Sequence, residues 1–221
     1  MSEESSRHGD ISANTYIDLG ATTGEAYRIS KTSRALARKK LGNNTPEDRV
    51  RQRCSIAVGD FAMADLLRFS HDPVSAAIMA LKAGAPVITD IRMVQVGIQK
   101  KGHRSEVLCA LDYGSDIAKA REITRSSAGI LALRDRLPGS ILVIGNAPSA
   151  LLVICDLIRE GVRPAVVIGI PVGFVNAAES KALLRTIDIP SISTEGTRGG
   201  TPVAVAAINE CITILSEESA Q

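Results

Sequence analysis

Short apolar, β-branched runs alternate along the chain with helix-like stretches, and this alternation constrains the fold more than any other feature. The clearest runs are Ile141–Asn146 and Ala165–Pro171, and each ends at Gly, Asn or Pro before a helical pattern begins. Such runs are typical of buried parallel strands. Because no hairpin signal separates them, the pattern predicts an α/β fold: a doubly wound domain with a mostly parallel sheet.

We predict five strands, which alternate with helical patterns. The strands are expected at Pro86–Asp90, Glu106–Leu111, Ile141–Asn146, Ala165–Pro171 and Pro190–Thr194. The helical patterns lie at Thr23–Leu41, Pro46–Phe69, Pro73–Ala83, Ile91–Ile98, Ser115–Arg136, Pro148–Glu160, Ala177–Thr186 and Thr201–Leu215. Residues 1–23 are polar and turn-rich, and we interpret them as an N-terminal arm that precedes one α/β domain, residues 24–221.

Composition narrows the class of protein. Aromatic residues make up 3% of the chain and the formal net charge is +2. Neither a base-stacking surface nor a strong field for nucleic acid or membrane is therefore expected. The N-terminus lacks the apolar core of a signal peptide, and no apolar run reaches the ~20 residues of a membrane span, which indicates a cytoplasmic protein. The four cysteines have no metal or redox spacing, so we predict buried thiols and no metal site.

The carboxyl ends of parallel strands meet at one edge of a sheet, where α/β proteins bind ligands. The groups expected there are Thr89-Asp90, Gly145-Asn146-Ala147, Pro171-Val172-Gly173, Glu179-Ser180-Lys181 and Arg198. Arg125, between Thr124 and Ser126 in a predicted helix, is either a carboxylate clamp or part of a solvated face. Neither glycine cluster has the spacing of a dinucleotide or phosphate loop. From the residues alone the site is a binding edge with a cationic rim, and a nucleotide-binding enzyme stays open.

Longer motifs occur in a fixed order along the chain: Val58-Gly-Asp-Phe61, Leu81-Lys-Ala-Gly-Ala-Pro-Val-Ile-Thr-Asp90, Met93-Val94 with Gly97-Ile98, Thr124-Arg-Ser126, Ile144-Gly-Asn-Ala-Pro-Ser-Ala-Leu151, Val167-Ile-Gly-Ile-Pro-Val-Gly-Phe-Val-Asn-Ala-Ala-Glu-Ser-Lys181 and Gly199-Gly200. In this order they resemble the precorrin-8X methylmutase (cobalt-precorrin-8 methylmutase) family of the vitamin B12 pathway. The resemblance covers about residues 25–215.

The resemblance implies a single flavodoxin-like domain, a homodimer with its active sites near the subunit interface, and a tetrapyrrole substrate without an added cofactor. The family's reaction moves a methyl group from C11 to C12 of the macrocycle. Arg125, Lys181 and Arg198 would then bind substrate carboxylates, and backbone amides around Gly145–Ala147 and Gly173 would hold other carboxylate oxygens. Val172, Phe174 and Val175 would provide apolar walls. The substrate-binding set that we infer is Ser33, Asp60, Thr89, Asp90, Thr124, Arg125, Ser126, Gly145, Asn146, Ala147, Pro171, Val172, Gly173, Glu179, Ser180, Lys181 and Arg198.

One position departs from the family pattern. Family members carry a catalytic His three residues before the Gly of the Gly-Asp-Phe motif, and Ile56 stands at that position here. His71 is the candidate substitute, whereas His103 precedes a strand at the opposite edge and His8 lies in the arm. Two hypotheses follow: a methylmutase with another proton source, or an altered relative that binds a corrinoid or other tetrapyrrole without methyl migration. The sequence leaves open whether the ligand carries cobalt.

Overall fold

Six strands of the described residues form one central sheet. They are β1 (Leu67–Ser70), β2 (Val87–Thr89), β3 (Val107–Cys109), β4 (Ile141–Ile144), β5 (Val166–Gly169) and β6 (Ser191–Thr194). Their order in the sheet is β1-β6-β5-β4-β2-β3. β1 pairs antiparallel with β6, and all other neighbours in the sheet are parallel.

The structure, a computed structural model, describes Ala21 and residues 23–219. The predicted arm, residues 1–23, therefore lies almost wholly outside the described residues, and the division into arm and domain stays a prediction. All five predicted strands are confirmed. The predicted α/β class with a mostly parallel sheet is confirmed as well, although the sheet has six strands rather than five.

The helices of the described residues are α1 (Gly24–Leu41), α2 (Pro46–Val58), α3 (Ala62–Leu66), α4 (Pro73–Lys82), α5 (Arg92–Gly97), α6 (Ser115–Arg121), α7 (Arg125–Ala132), α8 (Pro148–Arg159), α9 (Ala177–Arg185) and α10 (Thr201–Glu218). Several begin at the signals that the sequence carries. Thr45 and Asp48 form a capping box at the start of α2, with Pro46 at the first helical position. None of these helices has both the length and the apolar character needed to cross a membrane.

Two predicted helices differ from the structure. The helix expected to reach Phe69 ends at Val58, because Gly59 adopts a left-handed conformation with φ +65°. The short helix α3 and strand β1 follow it. The single helix expected over 115–136 is divided into α6 and α7, because Glu122 takes φ +51° at the end of α6 and Thr124 caps α7.

Strand side chains alternate between two apolar cores, one on each face of the sheet. Ile141 and Val143 of β4 pack in one core with α2, α4, α5 and α10. Leu142 and Ile144 of the same strand pack in the other core with α7, α8 and α9. Burial on both faces explains why these strands are uniformly apolar in sequence. All four cysteines are buried and free, as the sequence predicted.

A buried ionic cluster joins α1, α2 and α10. The carboxylate of Glu210 is fully buried and contacts the guanidinium groups of Arg34, Arg49 and Arg53. Arg49 donates to it at 2.8 Å and Arg53 at 3.2 Å. The three guanidinium groups share this one carboxylate, and removing one member of a buried ionic cluster is strongly destabilising.

Replacing Glu210 with Gln should lower the free energy of unfolding by about 3–5 kcal/mol, because it removes the buried negative charge that the three guanidinium groups share. Urea denaturation measures this change. Glu217→Gln is the matched control, since Glu217 is half-exposed and contacts only Arg49 among the cations of this cluster. The control should lose no more than about 1 kcal/mol. Equal losses in the two variants would contradict the structural role of Glu210.

Candidate functional site

The carboxyl edge of the parallel strands carries most of the predicted site residues. The loops that follow β2, β4, β5 and β6 all emerge there, and four helix N-termini, those of α7, α8, α9 and α10, begin at or beside these loops. Helix N-termini favour anions because their first amide groups point outward without intrahelical partners. This edge is therefore suited to a ligand that carries several carboxylates.

Asp90 organises the centre of this edge. Its side chain is fully buried at the end of β2 and accepts hydrogen bonds from three successive backbone amides after β4. Gly145 donates at 3.1 Å, and Asn146 and Ala147 each donate at 2.7 Å. Burial raises the pKa of the Asp90 carboxyl, and the three amide bonds oppose this effect. The carboxylate thereby fixes the turn that leads from β4 into α8.

This arrangement overturns one expectation. We expected the amides of Gly145, Asn146 and Ala147 to be free to hold ligand carboxylates, and Asp90 occupies all three. Gly145 itself is required by packing, because an added Cβ would lie 2.8 Å from Val94 and 3.0 Å from the backbone of Thr201. The turn is thus a rigid support. Of its residues, Asn146 is the exposed one.

Hydroxyl groups link α7 to this turn. Thr124 caps α7 by accepting from the amide of Ser127, and its hydroxyl lies 2.9 Å from that of Ser149 at the start of α8. Ser126 is buried and donates to the backbone carbonyl of Asp90 at 3.1 Å. The Thr124-Arg125-Ser126 motif therefore begins a helix at the edge rather than lying inside a long one. Ser149 belongs to the motif Ile144–Leu151 but was not included in the predicted substrate-binding set.

Arg125 is exposed at the first position of α7. Its guanidinium donates to the carbonyl of Leu111 at 2.8 Å, and no carboxylate of the described residues lies within ion-pair distance of it. Asp112, which follows Leu111 in the sequence, is paired with Arg92 instead. Between the two readings left open by the sequence, this geometry favours an anion clamp, since the charge of Arg125 is unneutralised and accessible.

Lys181 does not lie at the surface, where a residue that binds ligand carboxylates is expected. Its residue is fully buried, and its ammonium donates to the hydroxyl of Thr194 at 3.0 Å and to the carbonyl of Arg198 at 2.6 Å. Burial, with a smaller contribution from Arg185, lowers the pKa of Lys181 to about 8. The expectation that this ammonium directly grips a ligand carboxylate is wrong in this structure, because both observed acceptors belong to the protein and the group has no solvent exposure.

Arg198 reaches across the edge to Asp60, in the turn between α2 and α3. The two side chains are half-exposed and form an ion pair. This hydrogen bond, together with one from the amide of Ala62, holds the pKa of Asp60 below its ordinary value. The pair joins the loop after β6 to the segment that contains the Gly-Asp-Phe motif, and Ile56 lies in the last turn of α2 just before it.

The loop after β5 carries the exposed apolar residues of the edge. Phe174 is 96% exposed, Val175 77% and Val172 44%, whereas Pro171 is buried. Gly173 adopts φ +149°, and its amide donates to the carbonyl of Thr197 at 3.2 Å. The predicted apolar wall residues are thus accessible next to the loop of Arg198.

Both described histidines lie away from this edge. β1 runs antiparallel to β6 with Ser70 opposite Ser191, so His71 follows at the amino end of the parallel strands. Its ring nitrogen Nδ1 is 3.3 Å from Asp188. The prediction that His71 replaces the missing acid is therefore wrong. His103 precedes β3 at the same far edge, as predicted, between the Gln99 carbonyl and the Ser105 amide. His8 lies outside the described residues.

Of the other predicted site residues, some are buried and some are accessible to solvent. Thr89 is buried and donates to the Leu108 carbonyl of the neighbouring strand at 3.0 Å. Ser180 is buried and donates to the Ala177 carbonyl, and Glu179 is exposed on α9. Ser33 is half-buried on α1. Thr89 and Ser180 therefore support the fold in this structure, while a ligand role for Ser33 and Glu179 stays a prediction.

Backbone hydrogen bonds connect the turn after β4 with the loops after β5 and β6. The carbonyl of Ile144, next to the Asp90-bound turn, accepts from the amide of Ile170, whose own carbonyl accepts from the amide of Gly200. This chain of contacts connects the turn after β4 to the loops after β5 and β6. Among residues 23–219 no group of three or more His, Cys, Asp or Glu side chains is arranged to hold a metal ion.

Comparisons with known proteins agree with this geometry. The sequence model of the precorrin-8X methylmutase family matches residues 28–214. The chain is 37% identical over 214 residues to the cobalt-precorrin-8 methylmutase of Methanocaldococcus jannaschii, over 91% of this chain and 100% of that protein. It is 39% identical over 164 residues to the precorrin-8X methylmutase of Pseudomonas aeruginosa, over 71% of this chain and 79% of that protein.

A solved structure is similar over most of the chain. The crystal structure of precorrin-8X methylmutase from Thermus thermophilus superposes with a TM-score of 0.79 at 35% sequence identity, and covers 86% of this chain and 97% of that chain. The fold and the sequence similarity together define the class as the methylmutases, which are isomerases of cobalamin biosynthesis. The chain belongs to the precorrin-8X methylmutase family.

The role of Asp90 can be tested by Asp90→Asn. The amide group has one acceptor oxygen instead of two, and its NH₂ would face a backbone N–H, so the free energy of unfolding should fall by about 2 kcal/mol or more. Urea denaturation again provides the measurement. Asp112→Asn removes an exposed carboxylate paired with Arg92 and should cost no more than about 1 kcal/mol. An Asp90→Asn variant as stable as this control would contradict the role of Asp90 in fixing the turn after β4.

Proposed function

We propose that this protein converts precorrin-8X, or its cobalt-containing form, by moving a methyl group from C11 to C12 of the macrocycle. The observation that carries the proposal is the family match over residues 28–214, because that span includes every element that contributes to the carboxyl edge. The reaction is an isomerisation, so substrate and product have the same atoms. The protein must bind, orient and polarise one molecule.

Binding at this edge follows from charge and shape. A tetrapyrrole of this class carries many carboxylates around a flat ring. Arg125 and Arg198 are accessible cations on two sides of the edge, and charge-assisted bonds from guanidinium groups to carboxylates are strong and directional. Val172, Phe174 and Val175 would cover the ring with apolar surface. We propose that Arg198 exchanges the Asp60 carboxylate for one of the ligand.

The proposed ligand contacts include the remaining predicted residues that have accessible atoms. Asn146 is exposed beside the rigid turn, Glu179 is exposed at the start of α9, and Thr124 lies at the exposed start of α7. Ser33 on α1 is retained through the family resemblance alone. The buried members of the predicted set, Thr89, Asp90, Ser126, Gly145, Ala147, Pro171, Ser180 and Lys181, would act by holding this surface in place.

The residue at the family's His position cannot supply the proton for the reaction in this chain. Ile56 has no titratable group, and the described histidines lie at the other edge of the sheet. Methyl migration within one molecule neither consumes nor releases a proton, so a ring-protonating acid accelerates the step without being a reactant. We therefore propose a slower methylmutase in which water or the substrate's own carboxyl groups supply this proton.

We propose a homodimer in the cytoplasm, with each site near the subunit interface. The family resemblance implies this assembly. The exposure of Phe174 and Val175 supports it, because neighbouring apolar side chains in the open are typical of interaction surfaces. A biosynthetic enzyme with a small, multiply charged substrate fits a cytoplasmic location. Sedimentation equilibrium that gives the mass of one chain would contradict the dimer.

The function is tested by incubating the purified protein with precorrin-8X and with its cobalt form under anaerobic conditions. We expect conversion of one of them to the corrin spectrum of the methylmutase product. Arg125→Ala should raise the KM about tenfold, because a charged hydrogen bond contributes about 1.5–3 kcal/mol and part of this is lost to solvent. Arg104→Ala, an exposed residue before β3 at the opposite edge, is the control and should leave the KM unchanged.

Binding without conversion would favour the second hypothesis, a relative that holds a tetrapyrrole without methyl migration. Neither binding nor conversion of either ring would reject both. An unchanged KM in Arg125→Ala would remove that residue from the proposed clamp while leaving the reaction intact.

Replacing Ile56 with His should increase kcat. Positioned general acids contribute about 10²–10⁴-fold, and an unoptimised imidazole should give roughly tenfold or more, with a maximum below the pKa of the imidazole. Steady-state assays over pH 5 to 9 measure this, and Ile56→Leu controls for the change in packing. A His variant no faster than the Leu variant at any pH would show that the pocket lacks more than an acid.

A further inference from the structure

Within the described part of the chain, Lys181 is a buried cation without an anionic partner. It is fully buried on α9, and no carboxylate of the described residues lies within ion-pair distance of its ammonium. Burying an ammonium is costly unless the protein supplies strong acceptors. A leucine or methionine of similar length would fill this space more favourably. Its presence at the ligand-binding edge calls for a role in the site.

The two acceptors of Lys181 identify that role. Both belong to the segment that leads from β6 into α10: the hydroxyl of Thr194 and the carbonyl of Arg198. The Thr194 hydroxyl itself donates to the same carbonyl at 2.7 Å. The Arg198 carbonyl oxygen, which lies in an exposed loop, therefore accepts hydrogen bonds from two donors, the Lys181 ammonium and the Thr194 hydroxyl.

Other backbone bonds hold the loop on either side of this carbonyl. The Glu195 amide donates to the Leu66 carbonyl, the Thr197 carbonyl accepts from the Gly173 amide, and the Gly200 amide donates to the Ile170 carbonyl. Residues 195–198 are nonetheless exposed, and Gly196, with φ +67°, has no atom within 4 Å of the place where a Cβ would lie. The Lys181 and Thr194 bonds hold the Arg198 carbonyl itself. Fixing the Arg198 carbonyl fixes the direction in which its Cα–Cβ bond leaves the loop. The guanidinium then reaches Asp60 across the edge.

We propose that Lys181 is a positioning residue: its buried ammonium holds the Arg198 carbonyl so that the Arg198 guanidinium is ready to receive a carboxylate of the ligand. The inference rests on the proposed function for the identity of that ligand. It differs from a clamp role, since Lys181 acts through Arg198 and never touches the substrate. Burial leaves the lysine with a pKa of about 8, so it is mainly protonated at neutral pH.

The tether is tested first without any ligand. Hydrogen–deuterium exchange of the peptide that spans residues 195–200 should be roughly tenfold faster or more in Lys181→Met, and faster to a smaller degree in Thr194→Val, because each removes a donor to the same carbonyl. Arg185→Met is the matched control. Arg185 lies on the same helix and bonds to Ser193 and to the Thr194 carbonyl, but not to the loop. Its exchange in this peptide should match the wild type.

The second test measures kinetics with precorrin-8X. Lys181→Met should raise the KM roughly fivefold or more with kcat within about twofold, the signature of lost binding rather than lost chemistry. In an Arg198→Met background the same substitution should leave the KM unchanged, because Lys181 is proposed to act only through Arg198. Thr194→Val provides the same comparison if Lys181→Met fails to fold.

Each outcome decides the inference. Unchanged loop exchange in both Lys181→Met and Thr194→Val overturns it, and so does an equal rise of the KM in the presence and absence of Arg198. Faster exchange in Arg185→Met as well would mean general loosening and would also overturn it. If the wild type neither binds nor converts precorrin-8X, the proposed function fails, whereas the exchange comparison still decides whether Lys181 orders the loop.

Discussion

The carboxylate of Asp90 is the contact on which the arrangement of the ligand-binding edge depends. It lies at the end of β2, and by accepting the amides of Gly145, Asn146 and Ala147 it fixes the start of α8 against the neighbouring strand. Ser126 binds the backbone carbonyl of Asp90, and this contact adds α7 to the same unit. The amides of this turn are therefore satisfied by a carboxylate of the protein itself. A ligand consequently meets a preformed surface, and must find its cationic partners at the rim.

That rim consists of guanidinium groups held by main-chain and side-chain contacts on two sides of the edge. Arg125 is anchored on the Leu111 carbonyl, and Arg198 on Asp60. The buried ammonium of Lys181 lies beneath the second of these and orders its loop. Charged groups held in place before binding lose little conformational freedom when the ligand arrives. This is the physical reason why buried polar residues that never meet the ligand can still determine how tightly it binds.

Much of the fold could be predicted from local sequence patterns. The five parallel strands and the start of α2 at Pro46 were predicted from apolar runs and their breakers, and the structure confirms them. The position of the site at the carboxyl edge was inferred in the same way and stays a prediction. Strand β1 was missed because four residues, Leu67–Ser70, carry too little signal to distinguish an edge strand from the end of a helix. The division between α6 and α7 was missed because Glu122 adopts its left-handed conformation without a glycine.

The sequence by itself determined the α/β class, the family and the residue types that surround the site, because hydrophobic periodicity and motif order are properties of the chain alone. Only the tertiary structure decided which of these residues are free. Asp90 accepts hydrogen bonds from amides that the sequence alone would leave free for a ligand, and Lys181 is buried beneath a loop. The antiparallel pairing of β1 with β6 places His71 at the far edge of the sheet. Each of these outcomes depends on contacts between segments distant in sequence, and the direction of a strand or the partner of a charge is not encoded in any local pattern.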